Sequence, residues 1–175
     1  MMHVPGDMSD ASKEIAIYTD GACCPNPGRG GYGVILAGHE QRREISGGFL
    51  KTTNNRMELF SVIAGLRALD MEHMNVTVFS DSRYVVDMYM CGHARRWKAN
   101  GWRRGNAPAL NSDLWAQLIA LCDKHEVKFV WIKGHSEHPE NCRCDELAVE
   151  ARLRENLPLD DCYAPPAVMQ QLSLF

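Results

Sequence analysis

Four carboxylates, Asp20, Glu58, Asp81 and Asp145, stand at the ends or first turns of elements and not on open polar faces. Asp20 closes the strand-like run Ile15–Thr19, and Asp81 follows the β-branched run Val76–Phe79, just where a helix begins. Glu58 lies one turn inside a helical pattern, in line with Val62, Gly65 and Leu69, which points it toward a sheet. Asp145 falls in the first turn of the last helical stretch, in line with Ala148 and Val149. Taken singly, Asp81 could be an N-cap, Asp20 a turn residue and Asp145 a partner of the helix dipole. Glu58 resists such an account, because an inward carboxylate costs free energy unless it is paired. If the four converge, any two about 4 Å apart repel by roughly 4 kcal/mol at an effective dielectric near 20. No run of Lys or Arg neighbours them in sequence. The natural neutraliser is a hard divalent cation, and oxygen-only ligands point to Mg²⁺ or Mn²⁺. A pair of such ions suits phosphodiester hydrolysis.

The elements that must position these groups can be read from periodicity. Residues 1–13 are polar and aperiodic, a disordered lead-in by composition. Ile15–Thr19, Tyr32–Ala37 and Glu44–Phe49 read as three strands joined by turns at Pro25–Gly28 and Gly38-His39, an antiparallel meander. Between Asn55 and Asp70 the apolar residues Leu59, Val62, Ile63, Leu66 and Leu69 take helical steps. A short strand, Val76–Phe79, leads into a helical stretch ending near Met90. Ser112-Asp113 caps a helix through Leu121, Val127–Trp131 is a strand, and Cys142–Asn156 is a last helix. This order predicts an α/β (α+β mixed) domain over residues 14–156, a mixed sheet with helices on its faces. Residues 157–175 read as a flexible tail.

Two motifs invite other chemistry and fail. Gly28-Arg29-Gly30-Gly31-Tyr32-Gly33 satisfies G-x-G-x-x-G, but a strand-like run follows it where a dinucleotide site needs a helix. It reads as a glycine-rich hairpin turn. His135, His138, Cys142 and Cys144 suggest zinc, yet the C-x-C pair lacks the usual spacing and its members point about 200° apart on a helix.

Tyr18–Cys23 around Asp20, Thr53–Leu59 around Glu58, Phe79–Ser82 around Asp81, Gly134–Asn141 and Cys144–Ala148 closely resemble the motifs of bacterial type 1 ribonuclease H, in order and spacing, from about Glu14 to Asn156. The resemblance implies a ribonuclease H-like fold, a five-stranded mixed sheet with helices on both faces. It also implies endonucleolytic cleavage of the RNA strand of RNA–DNA hybrids by two-metal-ion hydrolysis, leaving 5′-phosphate and 3′-hydroxyl ends. Asp20, Glu58, Asp81 and Asp145 match the family's metal-binding acids, which hold two Mg²⁺ with substrate, Mn²⁺ being a substitute. His135 matches its loop histidine, suited to proton transfer or product release. Asn26, Asn54 and Asn55 carry amides that suit the 2′-hydroxyl marking RNA. Cys23, Thr53, Ser82 and Asn141 fall at neighbouring contact positions. Arg83 stands where close relatives often carry glutamine, so that one contact is not carried over, although an arginine there could still meet a phosphate. The alternative on the same fold is a catalytically silent hybrid- or double-stranded-RNA-binding module, whose mark would be a missing acid; none is missing.

The chain of 175 residues has a formal net charge of −3, which taken whole argues against a nucleic-acid partner. The distribution reverses that. Residues 91–110 carry Arg95, Arg96, Lys98, Arg103 and Arg104 with no acid, interleaved with Trp97 and Trp102. Such a segment suits phosphate tracking beside an aromatic platform, and it resembles the basic protrusion of many bacterial members. No apolar run would span a bilayer and no secretory signal is evident, and seven cysteines without a disulfide-like spacing favour a reducing cytoplasm. A monomer is expected. After Arg154 no cation appears, and the chain ends Gln171-Leu172-Ser173-Leu174-Phe175, which resembles the peptide that docks bacterial proteins on the sliding clamp.

Overall fold

The computed structural model describes residues 14–38, 41–134 and 138–163. Three long strands open the chain: β1 (Glu14–Cys23), β2 (Gly28–Ala37) and β3 (Arg42–Thr52), paired antiparallel. Helix α1 (Asn54–Arg67) then crosses to β4 (Asn75–Ser80), which lies parallel to β1. Helices α2 (Arg83–Met90) and α3 (His93–Ala99) follow, then a two-stranded ribbon of β5 (Arg103–Arg104) and β6 (Ala107–Pro108). Helix α4 (Ser112–Cys122), strand β7 (Glu126–Trp131), parallel to β4, and helix α5 (Pro139–Arg152) complete the chain. The sheet order is β3-β2-β1-β4-β7, the five-stranded mixed sheet expected from the sequence.

Strand alternation divides the core between the two faces of the sheet. Ile17, Val34 and Leu36 face one way, under Leu59, Val62 and Ile63 of α1, Val85 of α2 and Trp115 and Leu118 of α4. Ile35 and Tyr18 face the other way, against Cys144 and Leu147 of α5. The glycines of the G-x-G-x-x-G run lie inside β2, not in a hairpin turn as the sequence suggested. A Cβ on Gly33 would sit 2.1 Å from the Cys144 carbonyl oxygen, and one on Gly31 2.2 Å from that of Ala148. These glycines let α5 rest directly on the strand.

Several boundaries differ from the sequence reading for identifiable reasons. β1 runs through Asp20-Gly21 to Cys23, because Asp20 pairs with Gly33 and Gly21 with Tyr32 across β2. α5 starts at Pro139, three residues earlier than expected, with proline in the position where its missing N–H costs nothing. Asp145 therefore belongs to the second turn and not the first. Asn111, in the left-handed region at φ 56°, precedes α4, so Ser112 and Asp113 lie inside the helix and not at its cap. The basic segment folds into α3 and the β5–β6 ribbon, which periodicity did not reveal.

The start of the tail is also anchored. The Leu50 backbone N–H donates to the Pro158 carbonyl (2.8 Å), and Thr52 Oγ1 donates to Asp160 Oδ2 (2.7 Å). Arg56, 3% exposed, forks onto Asp160 through Nε (2.6 Å) and Nη2 (2.8 Å), and onto Asp113 at 2.9 and 2.7 Å. Residues 158–163 thus form a strap over β3 and the start of α1, not the loose tail expected from residue 157. Asp160 is one of two carboxylates on the buried Arg56, so removing it leaves that charge paired with Asp113 alone. Asp160→Ala is expected to lower the unfolding free energy by about 3 kcal/mol in a urea titration. A loss below about 0.5 kcal/mol, as for an ordinary surface change, would show the strap to be incidental.

Candidate active site

Parallel pairing brings the first two acids together. The β1–β4 ladder ends at Thr19 opposite Ser80, so Asp20, still in β1, and Asp81, the first residue past β4, follow it at the same end of the sheet. Glu58 reaches them from α1. A Cβ on Gly21 would lie 2.5 Å from the Glu58 backbone nitrogen, so only glycine lets the first turn of α1 come so close to β1. One carboxylate oxygen each from Asp20, Glu58 and Asp81 lies within 4.8 Å of the other two.

Asp20 and Glu58 are buried with few donors about them, and Asp81 is half-buried. Asp20 and Glu58 are each 7% exposed. The Gly21 backbone N–H donates to Asp20 Oδ1 (2.7 Å), and Asn54 Nδ2 donates to Glu58 Oε1 (3.4 Å). Among the described residues, Glu58 Oε2 has no hydrogen-bond partner. Burial, then repulsion from Asp81, pushes the Asp20 carboxyl up to about 8, against the Gly21 N–H. Burial, then repulsion from Asp20 and Asp81, raises the Glu58 carboxyl well above the usual carboxylate range. Three converging acids with an orphaned buried oxygen fit a hard divalent cation, in both donor chemistry and spacing. Asp145 of α5, half-buried, stands outside the cluster but close enough to add to the repulsion on Asp20. His135 lies outside the described residues.

Beside the acids, the β1–β2 turn meets the start of α1. Asn26 Oδ1 accepts from the Asn54 backbone N–H (3.2 Å), and Asn26 and Asn55 are exposed. The three asparagines thus share one rim next to Glu58. Thr53 is the N-cap of α1, accepting from the Arg56 N–H, and Ser82 caps α2 in the same way from Val85.

A family model for RNase H matches residues 12–152. The chain belongs to the RNase H family. It is 53% identical over 157 residues to the Ribonuclease H of Rippkaea orientalis, covering 89% of this chain and 96% of that one. It is 56% identical over 149 residues to the Ribonuclease H of Desulforamulus reducens, covering 85% and 93%. Among solved structures, LC9-RNase H1, described as a type 1 RNase H with the type 2 active-site motif, superposes with a TM-score of 0.72 at 32% identity, covering 81% of this chain and 72% of that one. LC11-RNase H1, solved with an RNA/DNA hybrid, superposes with a TM-score of 0.55 at 28% identity, covering 78% and 95%.

Other residues expected to serve this RNase H are placed differently. Cys23 Sγ has the carbonyls of Pro25 (3.3 Å), Thr52 (3.5 Å) and Gly28 (3.6 Å) within reach of its one S–H, inside the turn. Asn141 is 3% exposed in the first turn of α5, with its Oδ1 unpartnered, and so is not the surface contact expected of it. In the basic segment, Trp97 stacks edge-on against Trp115, and Trp97 and Trp102 both pack on the core, which corrects the open aromatic platform. Trp97 lies in α3 and Trp102 just before β5, short elements without a hydrophobic period of their own. Arg95 donates to Asp123 (2.6 Å), and Arg96 to the Cys91 carbonyl (3.0 Å). Lys98, Arg103 and Arg104 are exposed. Cys144 is fully buried and Cys142 exposed, so the two cysteines of the zinc reading face different surroundings. No described helix is long and apolar enough to cross a membrane.

Proposed function

We propose that this RNase H cleaves the RNA strand of RNA–DNA hybrids, with Asp20, Glu58, Asp81 and Asp145 holding two Mg²⁺ ions, replaceable by Mn²⁺. The observation that carries the reading is the convergence of Asp20, Glu58 and Asp81 within 4.8 Å around an unpartnered Glu58 oxygen. Divalent cations supply an activated water and charge stabilisation at the departing oxygen of a phosphodiester. The chain's own residues do the rest. Asp20 and Asp81, just past the end of the parallel β1–β4 ladder, hold the site at one end of the sheet's inner strands. Asn54 steadies the Glu58 carboxylate from one side. Asn26, Asn54 and Asn55 offer amides to the backbone and 2′-hydroxyls of the RNA strand. His135 would move a proton or hasten product release. A silent binding module is disfavoured by the intact set of acids.

The exposed cations of the α3–β6 segment would follow the phosphates of the DNA strand. Arg95, held by Asp123, contributes least to this. Neutralising Arg96, Lys98 and Arg104 together is expected to raise KM several-fold and to flatten the salt dependence by about 0.9 per lost phosphate contact, with kcat little changed. Steady-state kinetics from low to moderate salt provide the check, and an unchanged slope would remove the segment from the binding surface. The clamp-like peptide Gln171-Leu172-Ser173-Leu174-Phe175 lies outside the described residues, as does the lead-in; docking through that peptide, a monomeric state and a cytoplasmic setting remain part of the proposal. The function itself is tested by offering a labelled hybrid, duplex RNA and duplex DNA in parallel. Cleavage confined to the RNA of the hybrid, with 5′-phosphate and 3′-hydroxyl ends, supports it; equal cleavage of either duplex overturns it.

A further inference from the structure

Arg83 opens α2, two residues after Asp81, and its side chain is 62% exposed. Its guanidinium carbon lies 3.7 Å from the centroid of the Trp131 ring, directly over the indole. Its aspartate neighbour one turn on, Asp87, is no nearer than 3.7 Å, too long for a hydrogen bond. The guanidinium therefore rests on an aromatic face and is not locked to a carboxylate.

The ring beneath it is itself held in place. Trp131 is the last residue of β7, in register with Ser80 at the end of β4. Its Nε1 donates to the Asp81 backbone carbonyl at 3.0 Å, and the next residue, Ile132, donates its N–H to the Ser80 carbonyl, also at 3.0 Å. The indole is thus fixed by strand pairing and by a hydrogen bond to a residue of the acid cluster. Stacking uses one face of the guanidinium and leaves its N–H edges for an acceptor. Those edges match the paired oxygens of a phosphate. A preorganised cation beside Asp81 fits an anion that must approach Asp81, and that anion is the backbone of the cleaved strand.

We propose that Arg83, seated on Trp131, is a phosphate-binding residue for the RNA strand at the linkage next to the one cleaved, with Trp131 as its positioning residue. The inference rests on the hybrid-cleaving reading above. It makes Arg83 a determinant of strand placement, separate from the asparagine rim and from the basic α3–β6 segment.

The test is steady-state cleavage of labelled hybrids by wild type, Arg83→Gln, Trp131→Ala and Trp131→Phe. Arg83→Gln should raise KM about five-fold, leave kcat within about two-fold, and lower the log–log salt slope by about 0.9. Trp131→Ala should share the KM effect, and Trp131→Phe, which keeps an aromatic face, should restore most of it. A hybrid series bearing one neutral methylphosphonate at successive RNA linkages locates the contact. Wild type should lose affinity at one linkage beside the cleaved bond, and Arg83→Gln should show no penalty there. An unchanged KM for Arg83→Gln, or a penalty that persists undiminished in it, overturns the assignment while wild-type cleavage upholds the functional reading. Failure of wild type to cleave any hybrid would overturn both.

Discussion

Asp20→Asn is expected to abolish RNA-strand cleavage and, in the same protein, to raise the melting temperature of the metal-free chain at pH 8. The activity loss should reach on the order of 10³-fold, since several kcal/mol of transition-state charge stabilisation depend on ligands of this kind. The stability gain follows from the environment of the group. Asp20 is 7% exposed, faces Glu58 and Asp81, and receives one N–H, from Gly21, at 2.7 Å. Asparagine keeps the oxygen that accepts this N–H and removes the charge that burial and repulsion oppose. Relief of about 2 kcal/mol corresponds to a rise of about 5 °C for a domain of this size. Activity and thermal unfolding, the latter in chelator, separate the two effects. A variant that loses both activity and stability would mark Asp20 as a structural residue.

A second large effect should appear in the pH dependence of wild-type stability. The Asp20 carboxyl is pushed up to about 8 and that of Glu58 is raised well above its usual range, whereas both would titrate near 4 in the unfolded chain. A raised folded value means that the unfolded chain releases the proton more readily. The associated stability is therefore complete below about pH 4 and is lost as pH rises through about 8. Because Asp20 and Glu58 repel each other and titrate together, the loss is a joint property of the cluster and amounts to a few kcal/mol. Metal-free protein should thus unfold more easily at pH 8.5 than at pH 6, other groups apart. A divalent cation should reverse this at pH 8.5, by mass action reaching about 2.7 kcal/mol at one hundred times its dissociation constant. Chemical denaturation at the two pH values, with chelator and with Mg²⁺ or Mn²⁺, gives the comparison. Asp20→Asn should lose most of both responses. A cation effect equal in wild type and variant would place the bound ion elsewhere.

The acids were legible in the sequence because each stands where a period breaks. Asp20 and Asp81 follow β-branched runs, and Glu58 interrupts the apolar stripe of α1. Their convergence was not legible from spacing alone, since it depends on the β1–β4 register, which pairs Thr19 with Ser80 across sixty residues of chain. Asp-Gly at positions 20 and 21 looked like a strand end, and only pairing with Gly33 and Tyr32 of β2 carries β1 onward. The glycines at 28–33 looked like a turn because their role is set by α5, a helix over one hundred residues away. The strap at residues 158–163 looked loose because its anchors, Leu50, Thr52 and Arg56, lie on β3 and α1. Trp131 carried no signal of its place beside Asp81, for the same reason as the β1–β4 pairing. In each case contacts distant in the chain decided what the local sequence left open.

Asp20, Glu58 and Asp81, with Asp145, are proposed to hold divalent cations for hydrolysis of the RNA strand. The most direct test is cleavage of a hybrid labelled on both strands while Mg²⁺ is titrated in and then withdrawn by chelator. RNA fragments should appear only with the cation, stop on chelation and resume on readdition, with the DNA label intact throughout. Cleavage that persists in chelator, or that releases the DNA label, would contradict this role.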